Sequence, residues 1–178
     1  VWFLAGTTYA QPFSTAFRSC AIPAGVFLFF PVVDAWADDA NCPGFPPLPY
    51  TGAELKSFVQ QQTDTIVAGS MSVTIDGKTV RGLTDSTTAF RAHANGFSYS
   101  VGADNALGTL LCGAPFPAGP VPPTPPGAFA DGVYIMVPPL SVGTHHLHWT
   151  GAESGAPGSP CFGPASQDIS YTIHVSPH

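Results

Sequence analysis

Residues 26–33 form the longest apolar run of the chain, Val-Phe-Leu-Phe-Phe-Pro-Val-Val. The run has no charge and no helix-start signal. Its β-branched and aromatic content predicts a strand covered on both faces. Pro31 removes one ladder donor and predicts a bulge or an edge. Pro23 and Gly25 mark the turn leading in, and Asp34, Asp38 and Asp39 mark an acidic loop leading out. Elsewhere the apolar positions alternate. Met71, Val73 and Ile75 are separated by Ser72 and Thr74, a half-buried strand. Asp76-Gly77 then gives a two-residue hairpin signal, and residues 78–83 return. Ile169, Tyr171, Ile173 and Val175 share one face of a closing strand, leaving Ser170, Thr172 and His174 on the other. Shorter strands are expected at 1–5, 13–21, 87–94, 96–101, 133–137 and 144–150.

One segment breaks this period. Thr51 and Glu54 have capping-box spacing, and Leu55, Phe58, Val59 and Gln62 follow at helical intervals, which predicts a helix over 52–63. Strand spacing then predicts an all-β fold, an antiparallel two-sheet sandwich, jelly-roll-like, with one short helix. It also predicts a single domain over 1–178. Residues 113–128 are proline-rich and predict a stiff surface loop with polyproline II character. A docking site for a proline-reading partner is the alternative there.

Composition sharpens this picture. Charged residues are 9% of the chain, against about 25% in an ordinary globular domain. The 19 glycines and 20 prolines sit beside 44% hydrophobic residues, which suits many short strands and turns rather than disorder. A net charge of −6 with only five cations leaves no basic patch for nucleic acid and is repelled by an anionic membrane surface. No apolar run approaches the roughly 20 residues of a membrane span. The strand-like opening at residues 1–5 suggests processing, or residues missing upstream. Cys20, Cys42, Cys112 and Cys161 are an even set in a loop-rich, charge-poor chain. They predict two disulfides and a secreted, extracellular or periplasmic location. Three connectivities are open, and the favoured one joins Cys20 to Cys42 and Cys112 to Cys161. No C-x-x-C pair suggests a thiolate metal site.

Several motifs together resemble a family of secreted bacterial proteins of unassigned function. They are Trp2-Phe-Leu-Ala-Gly-Thr7, Cys20-Ala-Ile-Pro-Ala-Gly25 with Leu28-Phe-Phe-Pro31, and the hairpin Val73-Thr-Ile-Asp-Gly77. Asp131-Gly-Val-Tyr-Ile-Met-Val-Pro-Pro-Leu140, Gly143-Thr-His145 and Tyr171-Thr-Ile-His-Val175 complete the pattern. The resemblance implies a compartment and no activity. It also implies a tryptophan-containing segment ahead of Trp2, and a residue such as Thr where this chain has His146.

Candidate chemistry is sparse. In His145-His146-Leu147-His148, strand alternation puts His146 and His148 on one face, about 7 Å apart at the α-carbons. If the last two strands pair, His174 can add a third nitrogen, giving a zinc or copper site able to activate water or oxygen. The alternative is a solvated polar face. Asp34, Asp38 and Asp39, with Asn41, can wrap a calcium ion through oxygen ligands, or form a solvated acidic loop. Trp36 beside them suits a sugar-binding platform, or else a loop anchor. No G-x-S-x-G and no phosphate-binding glycine motif is present. The expectation is therefore a structural, assembly-forming or ligand-binding module without catalytic activity. It would self-associate, as in an extracellular filament or cell-surface assembly, or bind another extracellular protein or a glycan. The alternatives are a metal-dependent enzyme and a calcium-assisted carbohydrate-binding module.

Overall fold

The computed structural model describes residues 1–7, 15–38, 50–102, 119–121, 127–155 and 163–177. Among them run strands β1 (Trp2–Phe3), β2 (Ala16–Pro23) and β3 (Leu28–Ala37), then helix α1 (Gly52–Asp64). Strands β4 (Ser72–Ile75), β5 (Lys78–Thr79), β6 (Arg91–Phe97), β7 (Tyr99–Val101) and β8 (Gly119–Val121) follow. The chain closes with β9 (Ala128–Val137), β10 (Gly143–Glu153) and β11 (Ala165–Ser176). Two main sheets result, ordered β1-β3-β9-β6 and β2-β11-β10-β4-β5, beside a small β7-β8 pair. The fold is the expected all-β two-sheet sandwich with one short helix.

The pairing is not antiparallel throughout. β1 lies parallel to β3, and β2 lies parallel to β11. A parallel pair needs a crossover. The chain supplies one by leaving the first sheet after β1, running through the second as β2, and returning as β3.

Contacts divide the chain into two compact units. The first holds Val1–Asp34, Gln61–Ala92 and Gly132–His178; the second holds Ala35–Gln60 and His93–Asp131. In the first unit the core is built by alternation. Leu28 and Phe30 of β3 and Val133, Ile135 and Val137 of β9 are buried, and so are Leu147 and Trp149 of β10 and Ile169, Ile173 and Val175 of β11. At its centre Trp149 stacks on Phe30 at 4.4 Å and on Tyr171 at 5.5 Å. Gly151 sits where the two layers nearly touch. A β-carbon there would lie 2.5 Å from Val33 Cγ1 and 2.9 Å from the Val32 carbonyl oxygen. Gly132 is tighter still, with the Val33 carbonyl oxygen 2.6 Å from any β-carbon. These glycines therefore allow close approach inside strands.

Arg18 ties β2 to the first segment. Its guanidinium donates to the Ala5 carbonyl, to the Gly6 carbonyl at 2.9 Å and to the Tyr171 hydroxyl at 3.3 Å, and lies over the Tyr171 ring. The hairpin follows its sequence signal: Ile75 pairs with Lys78, and Asp76 and Gly77 take φ of 49° and 74°. In a two-residue loop, positive φ at both central positions is the type I′ geometry.

In the second unit the capping box forms as spelled. The Thr51 amide donates to Glu54 Oε2 at 2.7 Å, and the Glu54 amide donates to Thr51 Oγ1 at 3.3 Å. The Thr51 amide, joined by the Thr51 hydroxyl donating to Glu54 Oε2 at 2.8 Å, holds the Glu54 carboxyl below its usual value. The strand expected over 87–94 begins only at Arg91. Asp85 takes the Thr87 amide and hydroxyl, at 2.8 and 2.6 Å, and turns the preceding residues instead. The return strand expected over 78–83 is confined to Lys78–Thr79. Most of the proline-rich segment lies outside the described residues, but β8 falls within it.

Candidate ligand-binding cleft

The outward side of β10 and β11 is a lattice of hydroxyls and imidazoles. Antiparallel register puts Thr144 opposite His174, His146 opposite Thr172, His148 opposite Ser170 and Thr150 opposite Asp168. On the other flank of β10, Thr74 lies beside His148 and Ser72 beside Thr150. On the other flank of β11, Phe17 lies beside Ser170 and Ser19 beside Thr172. A cavity of about 300 Å³ opens over this lattice, and its lining includes Phe17, Thr74, His146, His148, Ser170 and Thr172.

His148 is the best-oriented group in the cleft. Its Nε2 lies 2.8 Å from Asp168 Oδ1, and Asp168 Oδ2 accepts the Thr15 hydroxyl at 2.9 Å. The His148 bond is the main cause holding the Asp168 carboxyl below its usual value. An ionised carboxylate only accepts, so Nε2 carries a hydrogen toward Asp168. His174 Nδ1 meets the Thr144 hydroxyl at 3.1 Å, and His146 Nδ1 lies 3.5 Å from the Thr172 hydroxyl. The second separation is at the outer limit of a hydrogen bond, so the His146 ring is only lightly held.

The last two strands do pair, and His146, His148 and His174 do share a face. They do not converge. His174 is registered with Thr144, so it lies beyond His146 on the side away from His148. From the row of His174 to the row of His148 the run is four residues, roughly 13 Å along the strands. Among the described residues no group of three His, Cys, Asp or Glu side chains could hold a metal ion.

His145 belongs to a different structure. It sits at the start of β10 with its ring turned away from the cleft. Nδ1 is 2.7 Å from Asp76 Oδ2 and Nε2 is 2.9 Å from the Ser141 carbonyl oxygen. Asp76 Oδ1 accepts the His146 amide at 2.9 Å. The nearest partner of each ring nitrogen is an acceptor, an arrangement that favours a protonated imidazole donating to both. Asp76 accordingly raises the His145 pKa, and His145 lowers that of Asp76.

Of the acidic positions, Asp34 and Asp38 are among the described residues. In the first unit Asp34 is desolvated by burial, which pushes its carboxyl up to about 6. In the second unit Asp38 accepts the Tyr99 hydroxyl at 2.6 Å, and Trp36 packs edge-on against the Tyr99 ring at 5.7 Å. Desolvation, helped by Asp38, raises the Tyr99 pKa. Trp36 is half-buried. Asp39 and Asn41 lie outside the described residues, as do Cys42, Cys112 and Cys161. Among the described residues Cys20 has no disulfide partner, and burial pushes its thiol pKa up.

Two groups, Phe17 in the cleft and Asp168 behind His148, escape the alternation pattern. Asp168 lies just before the expected strand at 169, and β11 in fact begins at Ala165. Phe17 reads as one apolar residue among many until its strand is seen beside β11. Compared with family models, curated proteins and solved structures, the chain matches none.

Proposed function

We propose that this chain is a non-catalytic β-sandwich module that works by binding, and that it assembles with further copies of itself outside the cytoplasm. The observation that carries this reading is a row of rings on the outward side of the sheet opposite the cleft. Phe3 meets Phe29 edge-on at 5.7 Å, and Phe29 stacks on Tyr134 at 5.5 Å. Phe3 is 71% exposed and the adjoining Met136 56% exposed. A contiguous apolar surface of this kind marks an interaction site, and a chain with 9% charged residues has little repulsion to keep copies apart. A filament or cell-surface assembly, with the strands in jelly-roll order, is the finer form of the proposal. An oxidising compartment belongs to the same reading and is supported by the resemblance to secreted bacterial proteins. Cys20 joined to Cys42 and Cys112 joined to Cys161 is the cross-linking it calls for.

Light scattering across a concentration series tests the assembly. The expected result is self-association that is lost in the F3S/Y134S double variant. A wild-type monomer at every concentration overturns it. Thiol counting by mass spectrometry tests the compartment, and four free thiols in protein recovered from its natural source refute the cross-links. A His-based metal enzyme has weaker support, since the three histidines are spread along the face. Near-stoichiometric zinc, copper or iron in untagged protein would revive it.

A further inference from the structure

The cleft on the opposite sheet is a second surface, and the assembly reading does not use it. We propose that it binds a neutral sugar residue of a glycan, with the pyranose ring laid on Phe17 and its hydroxyls taken by His146, His148, Ser170 and Thr172. The lining chemistry argues for this ligand class. Phe17 is 79% exposed on the strand beside the cleft, more than any other large apolar side chain described. Its ring is an exposed apolar platform that lines the cleft together with the hydroxyls and imidazoles. A pyranose has the complementary character, with axial C–H groups on its faces and hydroxyls around its edge.

The cleft is short of charge that an anionic or cationic ligand would need. Arg18 contributes to the lining, but its guanidinium is spent on the Ala5 and Gly6 carbonyls and on Tyr171. Asp168 is spent on His148 and Thr15. What remains are hydroxyls, which both donate and accept, and imidazoles with one donor and one acceptor when neutral. Such groups match the mixed donor and acceptor edge of a polyol. A few convergent polar groups beside an apolar surface are the usual make-up of a small-ligand site. The volume of about 300 Å³ is at the small end of such sites, room for one or two sugar rings. This site is distinct from the one expected around Trp36, and it needs no calcium.

The test is titration calorimetry of the full chain against neutral cello-, xylo-, manno- and malto-oligosaccharides, with a sialylated and a sulfated oligosaccharide as charged probes. Binding of at least one neutral series is expected, unchanged by EDTA. F17A should weaken it at least tenfold, and T172V and S170A a few fold each. Phe17 is solvent-exposed, so its removal leaves the core intact, and the unfolding midpoint of F17A verifies this. No neutral ligand bound, binding restricted to the charged probes, loss with EDTA, or affinity unchanged in F17A and in H146A/H148A would each overturn the proposal. The F3S/Y134S variant should bind sugar as the wild type does, which separates failure of this site from failure of the assembly. Release of new reducing ends from a bound oligosaccharide would refute the non-catalytic reading and leave the ligand class standing.

Discussion

His145 and His146 are neighbours in the chain with opposite circumstances. His145 lies on the inward side of β10, its ring nitrogens held by Asp76 and Ser141. His146 lies on the outward side, exposed, its one described side-chain bond the long contact to Thr172. The division continues along the strand. Leu147 and Trp149 go into the core, while His148 and Thr150 face out among hydroxyls. One strand therefore carries fold stability on one side and the proposed recognition surface on the other. Substitutions on the two sides should separate those quantities.

Trp149→Ala is the severest test. Trp149 is fully buried between Phe30 and Tyr171. Its loss should cost about 3–5 kcal/mol in denaturant unfolding. His146→Ala, three residues away on the other side, should stay within about 0.5 kcal/mol. Equal costs would break the comparison. Next comes Gly151→Ala, which adds one carbon on the inward side. Val33 can rotate away, but the Val32 carbonyl at 2.9 Å is backbone. Overpacking of this kind costs about 1–3 kcal/mol. A neutral outcome would mean that the two layers separate more readily than their contact suggests.

The His145–Asp76 clamp gives a smaller, pH-dependent effect. His145 has its pKa raised by folding, so its contribution is complete below the unfolded value of about 6.5 and is lost as pH rises through the folded one. Asp76 has its pKa lowered, so its contribution is complete above about 3.8 and is lost as pH falls through the folded value. The pair is thus at full strength between those two limits. Asp76 is 41% exposed on its side chain, so solvent screening keeps the pair under about 1 kcal/mol. Asp76→Asn preserves a residue tolerant of positive φ. The wild-type advantage in melting temperature should be greatest near pH 5–6 and shrink toward pH 8. A difference that grows with pH would show His145 to be neutral in the fold.

Local chemistry made much of this legible in the sequence. Asp76-Gly77 specifies its turn, Thr51 and Glu54 specify a helix start, and alternation over 169–175 separates the core side from the cleft side. What local chemistry could not supply was partner choice. The parallel joining of β1 to β3 and of β2 to β11 depends on segments far apart in the chain, and it is this joining that brings Phe17 to the cleft. Glycine misleads for a related reason. The strands expected over 133–137 and 144–150 stop short of Gly132 and Gly151, yet β9 and β10 run through them, where the facing layer leaves no room for a side chain. The three histidines were correctly assigned to one face, but their spacing along it depends on register, which alternation does not give.

Thr172→Val should have the smallest effect on stability and is the cleanest probe of the outward side. Valine keeps the β-branched shape that suits a strand and removes only the hydroxyl. Thr172 lies opposite His146 and beside Ser19, on the half-exposed surface of β11. Its one described side-chain bond is the 3.5 Å contact to His146. Nothing buried is left unpaired, so the unfolding free energy should move by no more than about 0.5 kcal/mol. The His146 ring loses its only described side-chain restraint, and the resonance of its Cε1 proton should shift while that of His145 stays fixed. Coupled shifts of both rings would mean that the two sides of β10 communicate, and the separation of stability from recognition along this strand would fail.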